Sequence, residues 1–294
     1  MYAITGITGK VGGALARSLL AEGLPVRAVL RDETKAAEWR ALGCDVALAE
    51  MDDAASLTAA FRGAAGVFIL PPSDFDPQPG FPEARRVIAA VTAALAEARP
   101  GKVVCLSTIG ADAPHENLLT PRGLMEQALK EIGLPAVTFL RPGWFMENAL
   151  WEVPSARDEG VLRSFLQPAD KLFPMAATQD VGRLAAALLR EDWIGTRVVE
   201  LEAAARVSPN DLARAFATVL ERPVRVETVP RGSWEQIFRS QGAQHPLPRI
   251  RMLDGFNEGW IEFRDNGRWA VKGATTLDSV IAELVEASRP TSAA

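Results

Sequence analysis

The segment Thr5-Gly6-Ile7-Thr8-Gly9-Lys10-Val11-Gly12-Gly13 carries the most specific chemistry in this chain. It lies between an apolar run, Tyr2-Ala3-Ile4, and an amphipathic stretch from Lys10 to Glu22 that stops at Gly23. A glycine-spaced turn from strand to helix lets the backbone approach a pyrophosphate and aims helix N-terminal N–H groups and dipole at its charge. In that reading Gly6 makes the tight turn, Gly9 admits the pyrophosphate and Gly12 lets the helix pack closely, with Thr8, Lys10 and Val11 completing the cradle. Pro25 to Leu30 then reads as the second strand of a parallel βαβ unit. Dinucleotide binding is the chemistry implied by this context; a purely structural βα turn is the plain alternative.

The end of the second strand distinguishes the cofactors. An acidic side chain there would bind a ribose 2′-hydroxyl and repel a 2′-phosphate. Arg31 occupies the place, and its forked donors suit a phosphate, with Lys35 a turn further on. NADP(H) is therefore expected over NAD(H), although Asp32 takes the NAD role if the strand runs one residue longer.

Other strand ends add candidates. Asp52 can reach an adenine amino group, and Asp53 can cap the helix that follows. Leu70 and Pro71 stop the fourth strand and form a wall against the cofactor ribose. Ser107 and Thr108 put two hydroxyls near the nicotinamide ribose.

Short apolar runs alternate with helical periodicity, the pattern of a Rossmann-type α/β fold with a doubly wound parallel sheet and a smaller α+β C-terminal substrate lobe. Strands are predicted at Tyr2 to Thr5, Val26 to Leu30, Asp45 to Glu50, Gly66 to Leu70, Lys102 to Ser107 and Ala136 to Arg141. Residues 1–150 form the cofactor domain, its sheet completed by residues 178–203, which include a helix from Asp180 to Arg190 and a strand from Arg197 to Leu201. Residues 151–294 form mainly the C-terminal lobe for a substrate or partner. Every tryptophan except Trp39 lies beyond residue 142. As a group Trp144, Trp151, Trp234, Trp260 and Trp269 suggest an apolar roof over the nicotinamide, although a single tryptophan is more often core.

With 294 residues the chain can bury a sizeable core, and its net charge of −5, without any basic run, argues against direct nucleic-acid binding. No stretch reaches the roughly 20 apolar residues of a membrane span, and no charged and apolar leader precedes the first strand. The expectation is a soluble, cytoplasmic protein. Cys44 and Cys105 lie in or beside apolar runs and read as buried fillers. His115 and His245 stand in unrelated segments, so no metal site is expected.

Together with Asp52-Asp53 before Ser56-Leu57, Leu106-Ser107-Thr108 and, above all, Leu140-Arg141-Pro142-Gly143-Trp144-Phe145-Met146-Glu147-Asn148, the glycine turn resembles the NmrA-like branch of the atypical short-chain dehydrogenases. Asp180-Val181-Gly182-Arg183 and Asp254-Gly255-Phe256-Asn257 extend the resemblance over nearly the whole chain. It implies NAD(P) binding, with Pro142, Gly143 and Phe145 beside the cofactor. It also implies one of two roles: a quinone- or azo-type reductase, or a redox-sensing regulator that binds cofactor without turning it over.

A standard short-chain dehydrogenase donates a proton from a tyrosine activated by a lysine four residues later. Counting back from Glu126, which resembles the family's glutamate, the lysine slot holds Arg122 and the tyrosine slot Leu118. Arg122 can hold a ribose or phosphate; Leu118 can give no proton, and the only tyrosine, Tyr2, starts the first strand. General acid catalysis contributes about 10²- to 10⁴-fold. Its loss is severe for an ordinary ketone but mild for a quinone, whose reduction yields a tolerable phenolate. The expected reaction is hydride transfer from NADPH to a small planar apolar acceptor of quinone, azo or enone type. The alternative is a non-catalytic NADP(H)-sensing regulator acting through a protein partner. An isomerase or epimerase would need an acid or base absent here. His115 is the one candidate acid in the loop after the fifth strand, Asn148 a candidate substrate contact, and a homodimer an arrangement that long helices of this kind allow.

Overall fold

The computed structural model describes residues 1–289. Its centre is a parallel sheet of eight strands. Six come from the first half of the chain: β1 (Tyr2–Thr5), β2 (Val26–Leu30), β3 (Asp45–Leu48), β4 (Gly66–Ile69), β5 (Lys102–Leu106) and β6 (Ala136–Pro142). Short strands β7 (Trp144–Phe145), β8 (Val161–Ser164) and β9 (Met175–Ala176) follow, and then β10 (Gly195–Ala203), β11 (Arg225–Thr228) and β12 (Val271–Gly273). The large sheet has the order β12-β10-β6-β5-β4-β1-β2-β3, and every neighbouring pair is parallel. The pairs β11-β8 and β7-β9 form two small sheets.

The central strands are buried along their length because both faces are covered. One face carries α1 (Lys10–Ala21) and α2 (Ala36–Ala41); the other carries α3 (Ala54–Phe61), α4 (Pro82–Ala98) and α5 (Thr120–Glu131). In α1, Val11, Leu15, Ala16 and Leu19 make one apolar stripe at helical spacing, and the chain leaves the helix at Gly23, whose φ is +71°. After α6 (Val153–Glu159), α7 (Thr178–Arg190) returns to the first face and lies against α1. The remaining helices, α8 (Pro209–Leu220), α9 (Trp234–Ser240), α10 (Leu247–Glu258) and α11 (Leu277–Ala287), build a separate apolar core around Phe216, Trp234 and Phe238. This lobe stands at the carboxyl edge of the sheet, where β6 and β10 lead into it.

Several local expectations change: β4 and β5 each end one residue early, at Ile69 and Leu106, β6 runs on to Pro142, and β10 is longer at both ends than Arg197 to Leu201. The third strand stops at Leu48 instead of Glu50: Ala49 still donates to the Leu30 carbonyl at 2.8 Å, but Glu50 already accepts from Asp53 N–H in a turn. Strand β12 extends the sheet at one edge, and its three residues, one of them Lys272, are too short and too polar to show any periodicity. The tryptophans also divide. Trp234 is core, its indole N–H donating to the Val229 carbonyl at 2.8 Å, while Trp269 is 73% exposed.

Candidate cofactor and substrate cleft

Because all eight strands are parallel, their carboxyl ends share one edge, and β1 stands between β2 and β4 where the connections diverge, the place where open α/β sheets bind ligands. Thr5 ties the two arms together: its hydroxyl donates to the Phe68 carbonyl at 3.1 Å and accepts from Leu70 N–H at 2.8 Å. Gly6 turns the chain there with φ +63°, and Gly9 N–H donates back to its carbonyl at 3.0 Å. Gly12 lies so close beneath this turn that a Cβ on it would stand 2.3 Å from the Gly6 oxygen. The first turn of α1 has neither a side-chain cap nor an acidic residue, which leaves its N–H groups and the positive end of its dipole available to an anion. Thr8, Gly9 and Lys10 are exposed at its mouth.

At the end of β2, Arg31 and Lys35 are exposed and form no ion pair among the described residues. Asp32 is engaged elsewhere, accepting from the Thr34 backbone at 2.9 Å and from its hydroxyl at 2.6 Å, bonds that hold its carboxyl below the ordinary range. Asp53 caps α3 by accepting from Ala55 and Ser56 N–H, and Asp52 is exposed beside it.

From this edge a cleft of about 1400 Å³ runs into the lobe. Lys10, Val11, Leu70, Pro71, Ser107 and Thr108 line it, joined by Arg122, Pro142, Gly143 and Phe145. Leu118 lines it too, in the turn before α5, where its N–H donates to the Pro248 carbonyl. Arg122 donates to the Ser73 hydroxyl at 3.0 Å and has no carboxylate partner among the described residues; burial lowers its pKa. Beneath the floor lies a charged lattice. The Ser107 hydroxyl donates to buried Glu126 at 2.5 Å, and Arg141 meets the same carboxylate through two bonds of 2.8 and 2.7 Å and Asp112 through one of 2.7 Å. Burial works against the Arg141 charge, but the two carboxylates outweigh it and hold its pKa above the ordinary value.

A model of the NmrA-like family matches residues 2–258. The chain belongs to the NmrA-like family. Over 231 residues, 77% of this chain and 76% of the other, it is 32% identical to a (4-alkanoyl-5-oxo-2,5-dihydrofuran-3-yl)methyl phosphate reductase of Streptomyces griseus. It is 27% identical to an NAD(P)H azoreductase of Xenophilus azovorans, over 88% of this chain and 85% of that one. Its fold is that of the NADPH-dependent quinone oxidoreductase of Escherichia coli complexed with NADPH, at a TM-score of 0.79 and 24% identity, covering 97% of this chain and 99% of that one.

In this NmrA-like chain His115 is outside the cleft. It is exposed, sits edge-on to Trp260 at 5.1 Å and faces a separate surface hollow with Arg251 and Asp254. Of the tryptophans, Trp144 and Trp151 line the cleft, and its apolar walls are otherwise mostly aliphatic and phenylalanine side chains. Asn148 lines it as well, whereas Glu147 accepts from the Thr178 N–H and hydroxyl and so serves the start of α7. Sequence reasoning missed Glu152, Arg249 and Phe238, which line the inner end. The one available signal was the three-residue spacing of Met146, Ala149 and Glu152.

Proposed function

We propose that the cleft binds NADP(H) and that the protein passes a hydride from it to a flat, electron-poor acceptor of quinone, azo or enone type, without a tyrosine proton donor. The observation that carries this reading is the cleft itself: it is larger than the 300–1,000 Å³ of an ordinary ligand pocket, it is mostly apolar, and Leu118, which the resemblance aligns with the proton-donating tyrosine, is among its lining residues. The cradle fits a dinucleotide, since a Cβ at Gly12 would fill the space the turn occupies and the uncapped helix start suits a phosphate.

When bound, the nicotinamide supplies the hydride. The chain's own residues orient the reactants, which is where the rate arises. Gly6, Gly9 and Gly12 hold the pyrophosphate, with Lys10 at its rim, and Arg122 holds a ribose or phosphate oxygen. The Ser107 proton is committed to Glu126, so Thr108 is the strand-end hydroxyl left to donate a hydrogen bond to an acceptor oxygen. The phenolate, hydrazide anion or enolate formed by hydride addition takes its proton from water. The azoreductase and the reductase of the furanyl methyl phosphate act, by name, on conjugated acceptors of this class.

The test is direct. Purified protein with NADPH and a panel of quinones, azo dyes and enones is expected to consume NADPH above background, at a rate unchanged by His115→Ala. Tight NADPH binding without consumption by any acceptor would instead support a regulator acting through a protein partner. The free Arg31 and Lys35, together with the engagement of Asp32 by Thr34, favour NADP(H). NADPH is expected to bind at least about tenfold tighter than NADH, a difference of about 1.4 kcal/mol, and Arg31→Ala is expected to remove most of that margin. Equal dissociation constants for the two cofactors in fluorescence titration would reject the preference.

A further inference from the structure

The inner end of the cleft contains two ionisable side chains that the hydride-transfer reading does not use. In the 3₁₀ segment Met146–Glu152, residues three apart stand in one column. Met146 and Ala149 are buried in the lobe core, so the third member, Glu152, continues that buried column into the cleft. Its Oε2 is buried without a hydrogen-bond partner. Opposite, in the first turn of α10, Arg249 stacks on Phe238 with its guanidinium carbon 4.3 Å from the ring centroid. Phe238 is itself fully buried and stacked on Phe165 at 5.2 Å. Arg249 makes no hydrogen bond or ion pair among the described residues, and the first turn of α10 carries no acidic residue.

We infer that this inner end is a receptor for an anionic group on the substrate, such as a sulfonate, phosphate or carboxylate, with Arg249 as the cation and Glu152 as a neutral hydrogen-bond donor. The inference rests on the proposed function, because it names a feature of the acceptor that the same cleft takes. At about 2 Å of rise per residue, Glu152 stands roughly 12 Å along the segment from Met146, which follows Phe145, the residue read as lying beside the cofactor, so it is placed for a distal substituent. Desolvation pushes the Glu152 carboxyl up to about 7, so it carries a proton to donate below neutrality and loses it above. Other acidic groups line the same cleft. Asp158 and Glu159 of α6 are held below the ordinary carboxylate range by Arg157 and Arg163, the latter on β8, and Asp76, against its own desolvation, by the N–H groups of Gln244 and His245, while Glu83 on α4 lies 3.8 Å from Arg86 and has its Oε2 buried without a partner.

The sign of the pH effect follows. An anion favours protonated Glu152, so its binding weakens as pH rises through about 7. The probes are a naphthoquinone carrying a ring sulfonate and the same naphthoquinone without it, with dissociation constants measured by calorimetry on the full chain and KM measured with NADPH. The sulfonate is expected to bind at least tenfold tighter than the neutral quinone at pH 6, with the ratio falling by pH 8. Arg249→Met abolishes the preference, weakening the sulfonate's binding at least tenfold more than the neutral quinone's. Glu152→Gln, which keeps a donor, retains the preference and loses its pH dependence. Equal affinities in the wild-type protein, or a preference that survives Arg249→Met, overturns the inference while reduction of the neutral quinone still supports the proposed function. Failure of both quinones to bind overturns the two together.

Discussion

Gly12→Ala is expected to cost the protein both stability and cofactor, whereas Gly9→Ala is expected to cost it cofactor alone. A Cβ at Gly12 meets the Gly6 carbonyl oxygen at 2.3 Å and its carbon at 2.7 Å, backbone atoms that cannot swing aside, so the turn and α1 must separate. Overpacking of this kind costs about 1–3 kcal/mol, which for a chain of this size lowers Tm by roughly 2–10 °C. The displaced turn no longer fits a pyrophosphate, and NADPH affinity is expected to fall by two orders of magnitude, about 2.7 kcal/mol. At Gly9 the added Cβ finds only the Gly6 oxygen, at an ordinary 3.4 Å, and the backbone, with φ −91°, is open to alanine. Its Tm should stay within about a degree while NADPH binding weakens tenfold or more, because the methyl group occupies the space in front of the helix start. Calorimetric Tm with and without NADPH, measured on both variants, separates the two. Full NADPH affinity in Gly9→Ala would mean that the pyrophosphate lies elsewhere.

Arg141→Met is expected to destabilise the protein strongly, by about 3–5 kcal/mol, the range for breaking a buried ion pair from one side. The reason is Glu126. Its side chain is 3% exposed and its carboxylate accepts two bonds from Arg141, so removing the guanidinium strands a charge in the interior. The Ser107 hydroxyl, which donates to the same carboxylate, loses its fixed position at the cleft floor, and kcat is expected to fall even at temperatures where the variant is folded. Acid removes part of the difference. Desolvation raises the Asp112 carboxyl, but the hydrogen bond and charge of Arg141 prevail and hold it below its ordinary value. A depressed carboxyl contributes stability that is complete above the unfolded value of about 3.9 and is lost as pH falls through the folded one. The gap in Tm between wild type and Arg141→Met should therefore be widest near neutrality and narrow below about pH 4. A gap that widens in acid would show that the lattice is not what Arg141 holds together.

The sequence by itself determined the local parts. The spaced glycines, the apolar runs of the central strands and the helix stripes each express a constraint met within a few residues, and the expected parallel doubly wound sheet is the sheet observed. Asp53 as a cap and the burial of Cys44 and Cys105 belong to the same class. Missing were features whose meaning depends on a distant partner. The carboxylate of Glu126, on α5, is fixed by Ser107 and Arg141 from two strand ends, and nothing near His115 in the chain reveals that it faces Trp260 and a different hollow. Strand β12 exists because β10 offers it an edge, and Trp234 is core because a lobe of four helices closes over it. Glu152 and Arg249 are almost a hundred residues apart and read as ordinary surface charges in the sequence. Only the tertiary structure decided that both face one apolar cavity, and there desolvation, which no local pattern encodes, gives each of them a chemistry that it would lack in water.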